Sequence, residues 1–227
     1  MKVGAIVPAA GVGKRLKAHL HKLFVPLAGR PILFWTLSIL GKSPAIHEIV
    51  VAVHRSDIAA TRRLVARARL PKAIRVVAGG ATRTESVFNG LRALSKEIQW
   101  VIVHDAARPL VDLQVVASVV EAARVHGAAI AAVPVVPTVK QAQGGWVERT
   151  LDRNHLWAVQ TPQVFRRDLL EKAHQRARAS GVTATDDSAL VEILGVKVRV
   201  VMGDSRNIKV TTPEDLIVAE ALLENPP

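Results

Sequence analysis

The 227-residue sequence contains no cysteine and no tyrosine, and only two methionines. Without thiols it can form no disulfide and can use no thiolate as nucleophile or metal ligand. Aromatic residues are only 4% of the chain, which leaves little of the stacking surface that single-stranded nucleic acid requires. No uncharged apolar run approaches the roughly 18 residues of a membrane-crossing helix. The first apolar segment has no secretory n-region or small-residue cleavage site, and a cytoplasmic setting is expected. What the chain has in plenty is apolar content, 49%, and positive charge, a net +12. That length and composition suffice for one domain with an excursion. The cations are spread through segments 61–69 and 166–178 rather than gathered into one stripe. A basic nucleic-acid-binding protein therefore fits less well than a mixed, solvated surface with a basic cleft for small anions.

Apolar strand-like runs at 3–7, 48–53, 74–77, 100–103, 128–133 and 197–202 alternate with amphipathic segments at 31–40, 56–68, 82–94, 113–126 and 167–180. This alternation predicts an α/β fold with a mainly parallel sheet covered on both faces. Pro31 suits a first helical turn, and Pro213-Glu214-Asp215 a helix start with acids near its N-terminus. The rhythm breaks at 134–160, where Gly144-Gly145 lies between two alternating runs and predicts a β-hairpin. Outside the sheet this arm would expose Trp146 and Val147 unless a second subunit or its own domain covered them.

Ligands of such sheets sit at the carboxyl ends of the strands, where Gly11, Gly79-Gly80 and Asp105 fall. The run Val3 to Leu16 passes from an apolar strand through Pro8, Ala9, Ala10, Gly11 and Gly13 to Lys14 and Arg15, with Lys22 close behind. Small residues let a ligand approach the backbone N–H groups, and the cations suit a polyphosphate. A plain strand–turn–helix with solvated cations would read the same way. The Walker pattern fails, with Pro8 at its first glycine and Arg15 at its hydroxyl position. The dinucleotide fingerprint fails at Leu16, and Val53-His54 offers no acid at the end of the second strand. Asp105, ending the run 100–103, could hold Mg²⁺ beside substrate phosphates, or cap its loop and pair with Arg108. Lys209 stands just before a helix start, where the dipole disfavours a cation, which points to an anionic partner.

Six motifs occur in order: Pro8-Ala9-Ala10-Gly11-x-Gly13-x-Arg15 with Lys22, Gly79-Gly80-x-x-Arg83-x-x-Ser86-Val87, His104-Asp105-Ala106-Ala107-Arg108-Pro109, Asp152-Arg153-x-x-x-Trp157, Thr161-Pro162-Gln163, and Asn207-Ile208-Lys209-Val210-Thr211. From Val3 to about Leu222 the chain thereby resembles the 2-C-methyl-D-erythritol 4-phosphate cytidylyltransferases of the non-mevalonate isoprenoid pathway, in their stand-alone form. The resemblance implies a Rossmann-like nucleotidyltransferase fold, CTP as co-substrate, Mg²⁺, and a homodimer joined by a projecting β-arm. It places Arg15 and Lys22 on the triphosphate, and Ala9, Ala10, Gly11, Gly13, Gly80, Ser86 and Ala106 on the nucleotide. Asp105 is the implied metal ligand. Arg108, Thr138, Thr161 and Lys209 are implied to hold the acceptor phosphate, with Arg153 reaching the partner subunit's site. The family often has Pro before the loop lysine, where this chain has His21. A sibling family acting on ribitol 5-phosphate shares the nucleotide motifs; Thr138, Arg153, Thr161-Pro162-Gln163 and Lys209 favour methylerythritol phosphate.

Overall fold

β-Branched and small apolar residues dominate β1 (Val3–Ala9), β4 (Glu48–Val53) and β6 (Trp100–Val103), which lie side by side as parallel strands at the heart of one sheet. The computed structural model describes residues 1–11, 22–182 and 184–225, with Lys22 by its backbone alone. After β1 comes a short ladder of β2 (Pro26–Leu27) and β3 (Arg30–Pro31), then α1 (Ile32–Lys42). The chain continues through β4, α2 (Ile58–Ala68), β5 (Ile74–Ala78), α3 (Arg83–Ala93), β6, α4 (Leu113–His126) and β7 (Ala128–Pro134). The hairpin of β8 (Lys140–Gln143) and β9 (Trp146–Thr150) follows, then β10 (Trp157–Arg166), α5 (Arg167–Ser180), α6 (Asp187–Glu192), β11 (Arg199–Met202) and α7 (Pro213–Glu224).

The sheet order is β11-β7-β10-β6-β1-β4-β5. Only β10 runs against its neighbours, wedged between β6 and β7. Side chains alternate across the strands, as a period of two requires. Ala5, Val7, Ile49, Val51 and Ile102 meet Leu33, Leu37 and Leu40 of α1 and Val116, Val119 and Ala123 of α4. Ile6, Val50, Val101 and Val103 meet Val87 and Leu91 of α3 and Leu170, Ala173 and Ala177 of α5 on the other face. Among the described residues no helix is long and apolar enough to cross a membrane.

The mainly parallel α/β architecture matches the sequence expectation, with differences that have physical reasons. Pro31 closes the β2–β3 ladder and precedes α1 at its N-cap, so it is not in the first helical turn. Pro213 does open α7, behind a reciprocal cap between Thr212 and Asp215. The segment expected to leave the sheet, 134–160, is partly inside it: Pro134 ends β7, and 157–160 begin β10. β10 escapes a propensity reading because Gln160, Thr161, Pro162 and Gln163 interrupt its apolar pattern. Its pairing register shifts between Val159 and Gln163, where an irregularity tolerates proline. The expected hairpin forms, and every residue of β8 and β9 is exposed, with Trp146 at 82%.

Helix α3 lies so close to β1 that side chains have no room at one contact. A Cβ on Gly90 would stand 2.5 Å from Cγ2 of the fully buried Ile6. That methyl is fixed to a branched Cβ in the middle of the core and cannot swing aside. Gly90→Ala gains about 1 kcal/mol of helix propensity but overpacks a site where such changes cost about 1–3 kcal/mol. The expected outcome is a lower unfolding midpoint in urea at an unchanged slope; a variant as stable as the parent would show that β1 and α3 can separate freely.

Candidate active site

The carboxyl ends of β1, β5 and β6, the middle of β10 and the segments leading into α6 and α7 converge at one edge of the sheet. The turn after β5 passes tightly against the end of β1: a Cβ on Gly79 would stand 2.6 Å from Ala10 Cβ and 2.8 Å from Ser86 Oγ. Glycine is what allows the two loops to touch. Ser86, buried on α3, accepts from the Gly80 N–H at 3.1 Å and donates to the Thr82 carbonyl at 2.9 Å. Thr82 and Glu85 cap one another at the start of the same helix. Ala9, Ala10, Gly11, Gly80, Arg83, Ser86, Asp105, Ala106 and Lys209 thus line a cleft of about 180 Å³. A second cleft of about 360 Å³, lined by Arg108, Gln160, Thr161, Gln163 and Ser188 among others, shares Arg83, Asp105 and Lys209 with the first.

Those three shared residues form an ion cluster on the boundary. Asp105 Oδ2 lies 2.7 Å from Lys209 Nζ, and its Oδ1 accepts from Arg83 Nε at 3.3 Å. Arg108 Nε stands 3.9 Å from Oδ2. Burial on its own would raise the Asp105 pKa, but the charges of Arg83, Lys209 and Arg108 together hold it far below the usual carboxylate range. Arg108 donates to the carbonyls of Asn207 at 2.6 Å and Val159 at 3.4 Å, while its buried Nε has no hydrogen-bond partner among the described residues. A buried guanidinium with an unused donor suits an incoming anion.

Four side chains hold the loops that carry this cluster. Thr161 Oγ1 accepts from the Asp105 N–H at 3.0 Å and lies 3.1 Å from His104 Nδ1. His104 Nε2 lies 3.0 Å from the Arg108 carbonyl, which can only accept. These partners assign the proton to Nε2, so Nδ1 accepts from the Thr161 hydroxyl. Asn207 donates to the Thr161 carbonyl at 2.8 Å, and Val210 N–H to the Ala107 carbonyl at 2.8 Å, setting Lys209 against Asp105. Gln163 accepts from the N–H groups of Asp187 and Ser188, each at 3.2 Å, and donates to Asp186 at 2.6 Å.

The structure therefore gathers Ala9, Ala10, Gly11, Gly80, Ser86, Asp105, Ala106, Arg108, Thr161 and Lys209 at one site. Gly13, Arg15 and the Lys22 side chain lie outside the described residues. Thr138 and Arg153 are exposed on the arm and line neither cleft of their own chain. Arg153 Nη1 donates to the Val136 carbonyl, tying the two legs of the arm together. Sequence reasoning passed over Arg83, His104, Gln163 and Asn207, although all four stood inside the motifs it quoted. Asp187 stood in none; its only signal was the acidic pair Asp186-Asp187 ahead of an apolar run.

Burial lowers the pKa of His104 to about 4. A folded-state value below the unfolded one means that stability is complete above about pH 6.5 and declines as the pH falls towards 4, because only the unfolded chain then takes up the proton. The full effect is about 3 kcal/mol. Chemical denaturation between pH 7 and 4 should show this decline, and His104→Gln should have a shallower slope over the same window. Equal slopes would mean that His104 titrates normally in the fold.

The family model for 2-C-methyl-D-erythritol 4-phosphate cytidylyltransferase matches residues 3–225. The chain is 46% identical over 223 residues to the protein of that name from Geobacillus kaustophilus, covering 98% of this chain and 97% of that one. Its fold superposes on the crystal structure of 4-diphosphocytidyl-2C-methyl-D-erythritol synthase from Anaerococcus prevotii with a TM-score of 0.89 at 32% identity, covering 99% of each chain. The structure of 2-C-methyl-D-erythritol 4-phosphate cytidylyltransferase from Thermus thermophilus gives 0.81 at 38% identity, over 99% of this chain and 100% of that one. Matched over nearly its whole length in sequence and in fold, the chain belongs to the 2-C-methyl-D-erythritol 4-phosphate cytidylyltransferase family.

Proposed function

We propose that the protein transfers the cytidylyl group of CTP to 2-C-methyl-D-erythritol 4-phosphate, giving 4-diphosphocytidyl-2-C-methyl-D-erythritol and pyrophosphate. The observation that carries this reading is the pair of clefts meeting at Asp105, Arg83 and Lys209. An oxygen of the acceptor phosphate attacks the α-phosphorus of CTP; the bond to the α–β bridging oxygen breaks, and pyrophosphate leaves with that electron pair. A phosphate monoester is mostly dianionic at pH 7 and needs little help from a base. Bringing two anions together and neutralising the charge that builds on the leaving group are the harder tasks.

On the nucleotide side, the small residues Ala9, Ala10, Gly11, Gly13 and Ala106 leave room for CTP. Ser86 has spent its hydroxyl proton on Thr82 and retains a lone pair, which suits the amino group of cytosine. Arg15 and Lys22 meet the triphosphate. On the acceptor side, Arg108 and Lys209 hold the phosphate. The hydroxyl proton of Thr161 is directed at His104, so Thr161 offers its spare lone pair to an acceptor hydroxyl. Thr138 and Arg153 come from the arm of a partner subunit in a homodimer, where the bare hairpin and Trp146 would be covered.

Among the described residues no group of three or more acids and histidines could cage a metal. One ionised carboxylate, Asp105, does fit Mg²⁺, which commonly binds through one or two carboxylates together with substrate phosphates. Asp105 would be the protein ligand, and the ion would offset phosphate charge. Asp105→Asn should then need more Mg²⁺ for half-maximal rate; an unchanged Mg²⁺ titration would remove Asp105 from that role.

The reading as a whole is checked by pyrophosphate release from CTP with methylerythritol phosphate and with ribitol 5-phosphate as competing acceptors. Turnover with the first is expected; turnover with ribitol 5-phosphate alone would overturn the choice of acceptor. The arm is tested by mixing inactive Lys22→Ala with inactive Arg153→Ala protein. In a mixed dimer one site has both wild-type residues and the other has neither, so activity should return to one site per mixed dimer. No recovery after proven subunit exchange would mean that Arg153 does not act across the dimer.

A further inference from the structure

Asp187 is a charged residue buried in the interior, and its partners are unusually selective. Its Oδ2 accepts from Arg83 Nη1 at 2.6 Å and its Oδ1 from His174 Nε2 at 3.1 Å. His174 is fully buried, and its Nδ1 has no hydrogen-bond partner among the described residues. Stranding a polar ring nitrogen in the core costs stability. The hydrogen bonding of this imidazole is thus given over to Asp187. Buried ion pairs seldom raise stability over well-packed apolar residues of the same size, so what such a cluster supplies is a fixed arrangement.

What is fixed here is Arg83. Its guanidinium spans from Asp187 to Asp105, with Nε on one carboxylate and Nη1 on the other. Nη2 makes no hydrogen bond among the described residues, and the side chain lines both clefts. Two carboxylates gripping opposite edges leave the planar group little rotational freedom. The anchor is itself anchored, since Gln163 of β10 holds the backbone N–H groups of Asp187 and Ser188.

We propose that Asp187, supported by His174, is a positioning residue: it pins the Arg83 guanidinium on the boundary of the two clefts, with Nη2 free to meet a phosphate oxygen of either substrate. This rests on the cytidylyl-transfer reading for its consequence in rate, and on geometry alone for the pinning. Released from Asp187, Arg83 would keep only its longer, 3.3 Å contact with Asp105, too little to hold the guanidinium still, and it would swing away from the anions.

Two measurements separate positioning from a merely structural role. The first follows the ¹⁵N-labelled Arg83 Nε–H, assigned by its absence in Arg83→Lys. It should be protected from exchange in the parent protein and lose that protection in Asp187→Asn, whatever reaction the protein catalyses. The second is a double-mutant cycle on kcat for cytidylyl transfer. Asp187→Asn should lower kcat by about tenfold or more, the scale of a misplaced binding group. Combined with Arg83→Lys it should add little, because both act through one group. A protected Nε–H in Asp187→Asn, or losses that multiply in the double variant, would overturn the proposal. Should Asp187→Asn fail to fold, His174→Leu leaves Oδ1 without its donor and is read by the same two measurements, with a smaller loss in the same direction. A parent protein without cytidylyl transfer would defeat the functional reading, while Nε–H exchange would still decide the pinning.

Discussion

Asp105 is a single carboxylate at the end of β6, and the cations around it arrive from three separate stretches of chain: Arg83 from α3, Arg108 from its own loop and Lys209 from the loop before α7. Two unit charges about 4 Å apart interact by roughly 4 kcal/mol at an effective dielectric of about 20. Without the carboxylate each cation would lose an attraction of that order and face the others uncompensated. With it, the loops close over the sheet edge and divide it into two clefts. The same cations are the ones that the proposed reaction requires, because both of its substrates are polyanions or dianions. The free protein thus keeps a phosphate-binding array assembled by holding one internal anion in its midst.

The neutral hydrogen bonds around the cluster decide where its members stand. Thr161 and Asn207 fasten β10 to the Asp105 loop and to the Lys209 loop, and Gln163 fastens it to α6. The side chains that interrupt the apolar pattern of β10 are therefore the ones that shape the site. Much of what reads as a substrate-contact motif in Thr161-Pro162-Gln163 serves to hold two loops in register.

This explains which parts of the molecule were legible in the sequence. The parallel strands could be read because β1, β4 and β6 are apolar on both faces, as buried parallel strands must be. Gly79-Gly80, Asp105 and Lys209 could be read because each stands in a compact motif at a strand or helix end. β10 could not, since its extended form is imposed by β6 and β7 on either side against a polar, proline-containing sequence. Asp187 was invisible for a different reason. Its partner Arg83 is 104 positions away, and nothing local distinguishes a buried acid from a helix cap.

The placement of β10 also bears on how the molecule is assembled. β6 and β7 are consecutive strands of the chain, yet they do not pair; the gap between them is filled only after the chain has travelled out along the arm and returned. Strands β1, β4, β5 and β6 can form early from the first hundred or so positions, but the sheet stays in two pieces until 157–166 emerge. Closing that gap requires contacts of long sequence separation, which are slow to form. Thr161, Gln163 and the lining of the second cleft arrive with the same strand. An incomplete chain emerging from the ribosome can therefore hold a half-built nucleotide pocket, but it has nowhere to seat an acceptor.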